Sequence, residues 1–464
     1  MKKRPYRASI YTSALLCSLL LVLVACSGQP GTGSGGGTAT PSAGGNAPTP
    51  TATQPSAQTV PMPPTQTSCP AANMARAAVM RPLALGTDQN LVYIYNDVPQ
   101  HTSTASGILR RYDATTGKKT DIVTSGLQIL QAQVSADGQW VLFLSRPDPR
   151  GGLVNTVQLQ LVRMDGQGLQ TLMCLPYGDG VDGLPSNPVI NFQWSVDEKS
   201  ILISTDMMDT TTHEVTSAIT LLDVSTGTLK PLFLDQADGL YSYSVVTWLD
   251  NTHAYIVKQG IQGPTPPETV FLINTTTATV TQPGLVTILT SPTRFSNNSL
   301  DSSYDGTQLY SSYCLQAANP FNTNIQAGPA MGGVRHTIWQ EQPADCVKVL
   351  RAVTPTTLLL VVSVSNTTGN SAQMWAMSLP GDSMRSLTTL TTGTSDKSYD
   401  LNETSQFPWS NVSRNGSTYT LQEVDSGANT QSILLAPLGG GNPVTIATTD
   451  PGYSTVSLAG WTTM

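Results

Sequence analysis

The chain is poor in charge: only 11% of its 464 residues are Asp, Glu, Lys or Arg, and basic residues are the scarcer sign, 23 against 30. A basic patch able to neutralise phosphates is absent, which excludes a nucleic-acid partner on composition. Histidine is scarcer still. His101, His213, His253 and His336 are scattered, and none falls in an H-E-x-x-H or near-cysteine spacing, so no metal centre or cofactor is expected. No G-x-S-x-G elbow occurs, which excludes a serine hydrolase of that architecture. One apolar run stands out, IYTSALLCSLLLVLVA at 10–25. It is too short and too abruptly ended for a comfortable membrane span, which needs about 20 apolar residues.

A basic start, MKKRPYR, precedes that run, and Leu23-Val24-Ala25-Cys26 closes it. This order resembles the signal and lipobox of bacterial lipoproteins. The resemblance implies cleavage before Cys26, with lipid on its thiol and new amino terminus. It places the mature chain in the cell envelope, on the extracytoplasmic side of a bacterial membrane. Loss of Lys2, Lys3, Arg4 and Arg7 leaves 19 basic residues against 30 acidic ones, a formal −11 that serves solubility. Residues 26–68 are rich in Gly, Thr, Pro and Ser and almost devoid of large apolar side chains. Such a segment cannot offset its ordering entropy by burial and is expected to be a disordered tether spanning roughly 35–40 Å. Gly31, Gly33 and Gly36 satisfy G-x-G-x-x-G there, but no strand precedes and no helix follows them. The predicted domains are therefore 1–25 signal, 26–68 tether and 69–464 folded body.

The body repeats. VSADGQWVLFLS at 134–145 is a polar turn around Asp137-Gly138 running into an apolar strand. NFQWSVDEKSILISTD, VTWLDNTHAYIVK and SYDGTQLYSSY (with Asp305-Gly306) repeat the order, and PWSNVSRNGSTYTLQE is a looser copy. Each copy is followed by a strand, a polar turn and a short strand, as in LRRYDATTGKKTDIV and ITLLDVSTGTLKPL. Four strands per unit make a propeller blade. Trp194, Trp248, Trp409 and Trp461 are expected to end the first strands of their units and to pack between blades, a ring for ligand stacking being the lesser reading. Trp194 and Trp248 are 54 residues apart and Trp409 and Trp461 are 52 apart, so copies without Trp should fall near 302 and 355.

VSADGQWVLFLS resembles the S-P-D-G-K-x-I-A-F-x-S unit of TolB-type, WD-like propeller repeats, and the D-x-x-T-G turns belong to the same pattern. The family's proline is replaced by Ala136, Val196 and Tyr304, and no TolB-type N-terminal α/β domain precedes the repeats. The resemblance implies an all-β propeller. Counting units gives seven four-stranded blades. The terminal VSLAGWTTM supplies an orphan first strand that joins the blade of LVYIYND and closes the ring, since an unpaired strand would expose a sheet edge.

Four cysteines remain in the body. An even number in an exported chain permits two disulfides, and Cys69–Cys174 with Cys314–Cys346 is the favoured pairing. By the strand count Cys314 ends a second strand and Cys346 starts a fourth of the same blade, which sets the two far apart. The body carries no catalytic constellation. The expected function is a monomeric, membrane-anchored, non-enzymatic module binding a protein, peptide or envelope ligand. The alternative is an extracellular propeller enzyme, glycan-active or of the quinoprotein type, with its chemistry on the funnel loops.

Overall fold

In the computed structural model, the described residues are 63–97, 106–146, 156–176, 186–208, 215–235, 241–260, 269–281, 299–315, 322–341, 345–366, 369–379, 383–391, 396–402, 408–452 and 454–464. Cys26, the signal and most of the tether lie outside them. Among them are seven four-stranded antiparallel sheets. Six are continuous in sequence, at 128–176, 186–235, 241–281, 299–341, 345–391 and 397–448, and are called blades 2 to 7. Blade 1 is built from both ends of the chain: Thr455–Thr462 pairs with Asn90–Asp97, followed by Ser106–Asp113 and Lys119–Ser125. The register sets Leu91 against Trp461 and Ile94 against Ser457, so the last residues do close the ring. No helix among the described residues is long and apolar enough to cross a membrane.

Burial follows from blades stacking face to face. A second strand is covered on both faces, and Trp140–Arg146 accordingly reads as a continuous apolar run, buried from Trp140 to Ser145. The outermost strand Lys119–Ser125 fully buries only Ile122, half-buries Val123 and is otherwise polar. The hydrophobic clusters lie between blades. Trp140, Leu142 and Leu144 of blade 2 meet Phe192, Trp194 and Ile203 of blade 3, while Leu202 and Ile219 of blade 3 meet Tyr243 and Trp248 of blade 4. Trp194, Trp248 and Trp461 thus stand at or next to the ends of first strands and pack between blades. The copies without Trp end at Ser302 and Thr354.

Two expectations are corrected. Trp409 does not end a first strand: that strand, Lys397–Asp400, stops earlier, and Trp409 sits in a 3₁₀ turn, Pro408–Ser410. Pro408 lacks the N–H that a continuing ladder would need. Cys346 does not start a fourth strand; it lies in Asp345–Thr354, the first strand of blade 6, whereas Cys314 lies in the second strand of blade 5. These strands run side by side across the blade boundary, Ser312 Oγ donating to Val347 O at 3.4 Å. The separation expected within one blade therefore disappears. Cys346 is disulfide-bonded, and the Cys314 side chain lies outside those described. Cys69 and Cys174 form a disulfide with Cα atoms 5.7 Å apart.

One hydrogen bond recurs in every blade. The residue after the third strand donates its N–H to the carbonyl of the residue just before the second strand, from Ala114 to Gln89, Met164 to Gln139, Val224 to Lys199, Thr275 to Thr252, Ala330 to Thr307, Leu379 to Thr356 and Leu438 to Ser417, at 2.7–3.0 Å. Both sets of residues therefore lie on one face. The entering chain crosses that face between blades 2 and 3. Pro63 sits against Gly168, Arg76 N donates to Leu172 O and Ala78 N to Val224 O, and Leu83 N reaches the Gln139 side chain.

Candidate functional site

The first strands face one another around the axis, and polar side chains join them. Gln133 Nε2 donates to Phe192 O at 2.8 Å, Asn191 Nδ2 to Val245 O at 3.2 Å and Asn402 Nδ2 to Leu458 O at 3.1 Å. Thr247 and Ser302 share a hydroxyl contact of 3.2 Å, and Asp301 accepts the Ala352 N–H at 2.7 Å. Buried polar groups need such partners, and here each partner belongs to the next blade. The axis is a hydrogen-bonded polar seam rather than an apolar core.

The turns that follow these strands form the mouth. In Ser135-Ala136-Asp137-Gly138, Ser135 Oγ accepts the Gln139 and Trp140 N–H groups and donates to Asp137 Oδ1 at 2.5 Å. Ser195–Asp197, Ser303–Asp305 and Ser413–Asn415 repeat the hydroxyl contact at 2.9, 2.6 and 2.7 Å. The fourth position is left-handed, φ 78°, 70° and 70° at Gly138, Gly306 and Gly416. In blade 5 only glycine fits, because a Cβ at Gly306 would overlap Leu249 O. The second-position residues Ala136, Val196 and Tyr304 all line one cavity of about 510 Å³. Asp250, Asp305 and Trp409 also line it. Val196 and Tyr304 are about half exposed, at 49% and 54%.

Blade 7 uses its second position differently. Arg414 Nε donates to Trp461 O at 2.8 Å, Nη1 to Ala136 O at 2.7 Å and Nη2 to Ser135 O at 2.9 Å. Its guanidinium lies 4.2 Å over the Trp409 ring, whose Nε1 donates to Val134 O at 3.2 Å. Arg414 thus ties blade 7 to the closing strand of blade 1 and to the turn of blade 2. Burial pulls its pKa down to about 10, against the pull of Asp137, Tyr304 and Glu198.

Glu198 is the irregular residue of the ring. It occupies the left-handed position at φ 60°, where glycine stands in blades 2, 5 and 7. Its Oε1 accepts the Asp137 N–H at 2.6 Å. Burial, and after it the charge of Asp137, pushes its pKa up to about 7, although the Asp137 N–H works the other way. A carboxyl titrating there has the acidity of a general acid, but Glu198 is not among the residues lining the cavity. Its folded-state pKa lies above its unfolded value, so the folded protein retains a proton that the unfolded chain releases. Stability is lost as pH rises from about 4.5 to about 7, and the penalty is complete above that, about 1–2 kcal/mol once solvent screening is discounted. The left-handed backbone adds about 1 kcal/mol at every pH. Glu198→Gly should therefore raise the unfolding midpoint, more at pH 8 than at pH 5. Equal gains at the two pH values in thermal melts would refute the electrostatic part.

Of the expected site residues, Asp137 and Asp305 hold turns at the mouth, Trp409 lines it, and Trp248 lines its wall. Trp194 and Trp461 are fully buried elsewhere. Among the described residues no group of three or more His, Cys, Asp or Glu could hold a metal ion. Sequence reasoning did not single out Tyr304 in the cavity lining, nor Arg414 and Glu198 beside it. Stacking SADG, SVDE, SYDG and SRNG shows the signal: the second position varies freely, and Glu replaces glycine once.

No protein-family model matches this chain, and no curated protein matches it. Solved structures do resemble it. TolB from Acinetobacter baumannii is 13% identical over 67% of this chain and 65% of its own, with a TM-score of 0.39. Oligogalacturonate lyase from Vibrio parahaemolyticus is 10% identical over 76% of this chain and 99% of that one, TM-score 0.48. The β-propeller domain of the Trilobed protease from Pyrococcus furiosus is 7% identical over 81% and 96%, TM-score 0.47. The similarity is distant and is one of fold. The chain is a seven-bladed β-propeller.

Proposed function

We propose that the protein is a lipid-anchored, extracytoplasmic binding module that captures a polypeptide of the cell envelope at the mouth of its propeller. The supporting observation is the mouth itself: a cavity of about 510 Å³ whose exposed Tyr304 and Val196 are presented by turns fixed through Ser–Asp contacts. A rigid concave site with a few apolar anchors and convergent polar groups is what a binding site requires. The root of the tether shares this face, since Pro63 packs on Gly168. The lipobox at Leu23–Cys26 supports the anchor.

A photo-crosslinking residue placed at Tyr304 should trap a discrete partner in intact cells. The same residue at Leu130, exposed in the first strand of blade 2 and outside the cavity lining, should not. Cys26→Ala should abolish incorporation of labelled fatty acid and release the protein from the membrane fraction. Equal adducts from both sites, or labelling that survives Cys26→Ala, would overturn the respective half of the proposal.

A further inference from the structure

We infer that the mouth selects a cationic side chain, a lysine or arginine displayed by the captured polypeptide; this rests on the binding role proposed above. The lining carries the carboxylates of Asp250 and Asp305, on neighbouring blades 4 and 5, and no lysine, arginine or histidine. Both carboxylates are fixed by their own turns. Asp305 Oδ1 accepts from Ser303 Oγ at 2.6 Å and from the N–H and hydroxyl of Thr307 at 3.1 and 2.8 Å. Asp250 accepts from the Thr252 N–H at 2.6 Å and from the His253 N–H at 2.7 Å, and its Oδ2 contacts the His253 ring at 2.9 Å. These donors hold both carboxyls below the usual carboxylate range; at Asp250 they do so against the effect of burial. The charges are therefore present at any physiological pH and need no reorganisation to meet a cation.

Two basic side chains near the mouth are already engaged, the His253 ring on Asp250 Oδ2 and Arg414 by the fold itself. Arg414 donates to three backbone carbonyls and covers Trp409, and it is not part of the lining. Asp137, next to the lining residue Ala136, adds negative potential beside the cavity. Next to Asp305, the exposed ring of Tyr304 offers a face to a cation, an arrangement favourable at a partly desolvated site. The cavity combines fixed anions, an exposed aromatic ring and uncharged Thr247, Ser302 and Ser303, which suits a positively charged end on an aliphatic stem.

The test uses the mature chain and three capped tripeptides, Gly-Arg-Gly, Gly-Leu-Gly and Gly-Glu-Gly, titrated by calorimetry. The arginine probe should bind best, and its affinity should fall as salt rises. The double variant Asp250→Asn with Asp305→Asn should weaken it by roughly tenfold while leaving the leucine probe unchanged. Asparagine is compatible with the fold of such a turn, since Asn415 Oδ1 already takes the Ser413 hydroxyl at 2.7 Å and the Ser417 N–H at 3.1 Å. The salt dependence on the unaltered protein keeps the inference testable even if that variant misfolds. An arginine probe that binds no better than leucine or glutamate, or that is insensitive to both salt and the asparagine pair, overturns the inference. If a neutral or acidic probe then binds and is lost with Tyr304→Ala, the mouth is still the binding site and only its charge preference fails. If no probe responds to Tyr304→Ala, the binding role fails with it.

Discussion

A chain ending at Ser454 is expected not to fold. The missing strand buries Val456, Leu458, Ala459 and Trp461, each no more than 3% exposed. At about 1.5–3 kcal/mol for each large apolar side chain, with more for Trp, the loss is about 6–10 kcal/mol. That is comparable with the entire stability of a domain. Asn90–Asp97 would also lose one of its two ladders and expose Leu91 and Tyr93 along a free edge. Near-ultraviolet dichroism and chemical denaturation of the truncated chain measure the outcome, and a synthetic peptide of residues 455–464 added in trans should restore part of the signal. A truncated chain that melts cooperatively at the parent's midpoint would show that closure is dispensable. Trp461→Phe is the mild counterpart. The indole N–H of Trp461 is buried without a hydrogen-bond partner in the described structure, so its removal relieves a cost that offsets part of the lost volume.

Arg414→Ala should lower stability by about 2–4 kcal/mol, through three lost charge-assisted bonds to carbonyls and one lost ring contact. Arg414→Lys keeps the charge but lacks a planar fork able to reach Trp461 O, Ser135 O and Ala136 O together, and should recover less than half of the loss. The damage should concentrate at the junction of blades 7, 1 and 2. Hydrogen exchange should therefore quicken in Thr455–Thr462 and at 135–140 before it does in blades 4 and 5. A uniform change across all seven blades would mean that Arg414 acts on global stability alone and is no clasp.

Both predictions concern the seam where the two ends of the chain meet, and that seam was only partly legible in the sequence. The ring, its seven units and the closing VSLAGWTTM strand could be read beforehand because a blade is a local object. Turn residues at fixed offsets and apolar runs of period two are written into about 50 consecutive residues. Cys69–Cys174 was also within reach, because the four cysteines of the body admit only three complete pairings. The break before Trp409 and the placement of Cys346 were misjudged, since both depend on where one blade stops and the next begins. Strand boundaries are weakly encoded where Pro408 interrupts the repeat.

The mouth was legible in its turn residues Asp137 and Asp305 but not in its composition. Ala136, Val196, Tyr304 and Arg414 occupy equivalent turn positions 60, 108 and 110 residues apart, and nothing local says that three line a cavity while the fourth folds back over Trp409. Their juxtaposition arises only when the blades close around an axis and bring equivalent positions from distant units within reach of one another. The sequence by itself determined the blade and its repetition. Which residues share the mouth, and that Glu198 sits beside Asp137 there, was decided by ring closure, because contacts between blades depend on how many blades there are and how they meet.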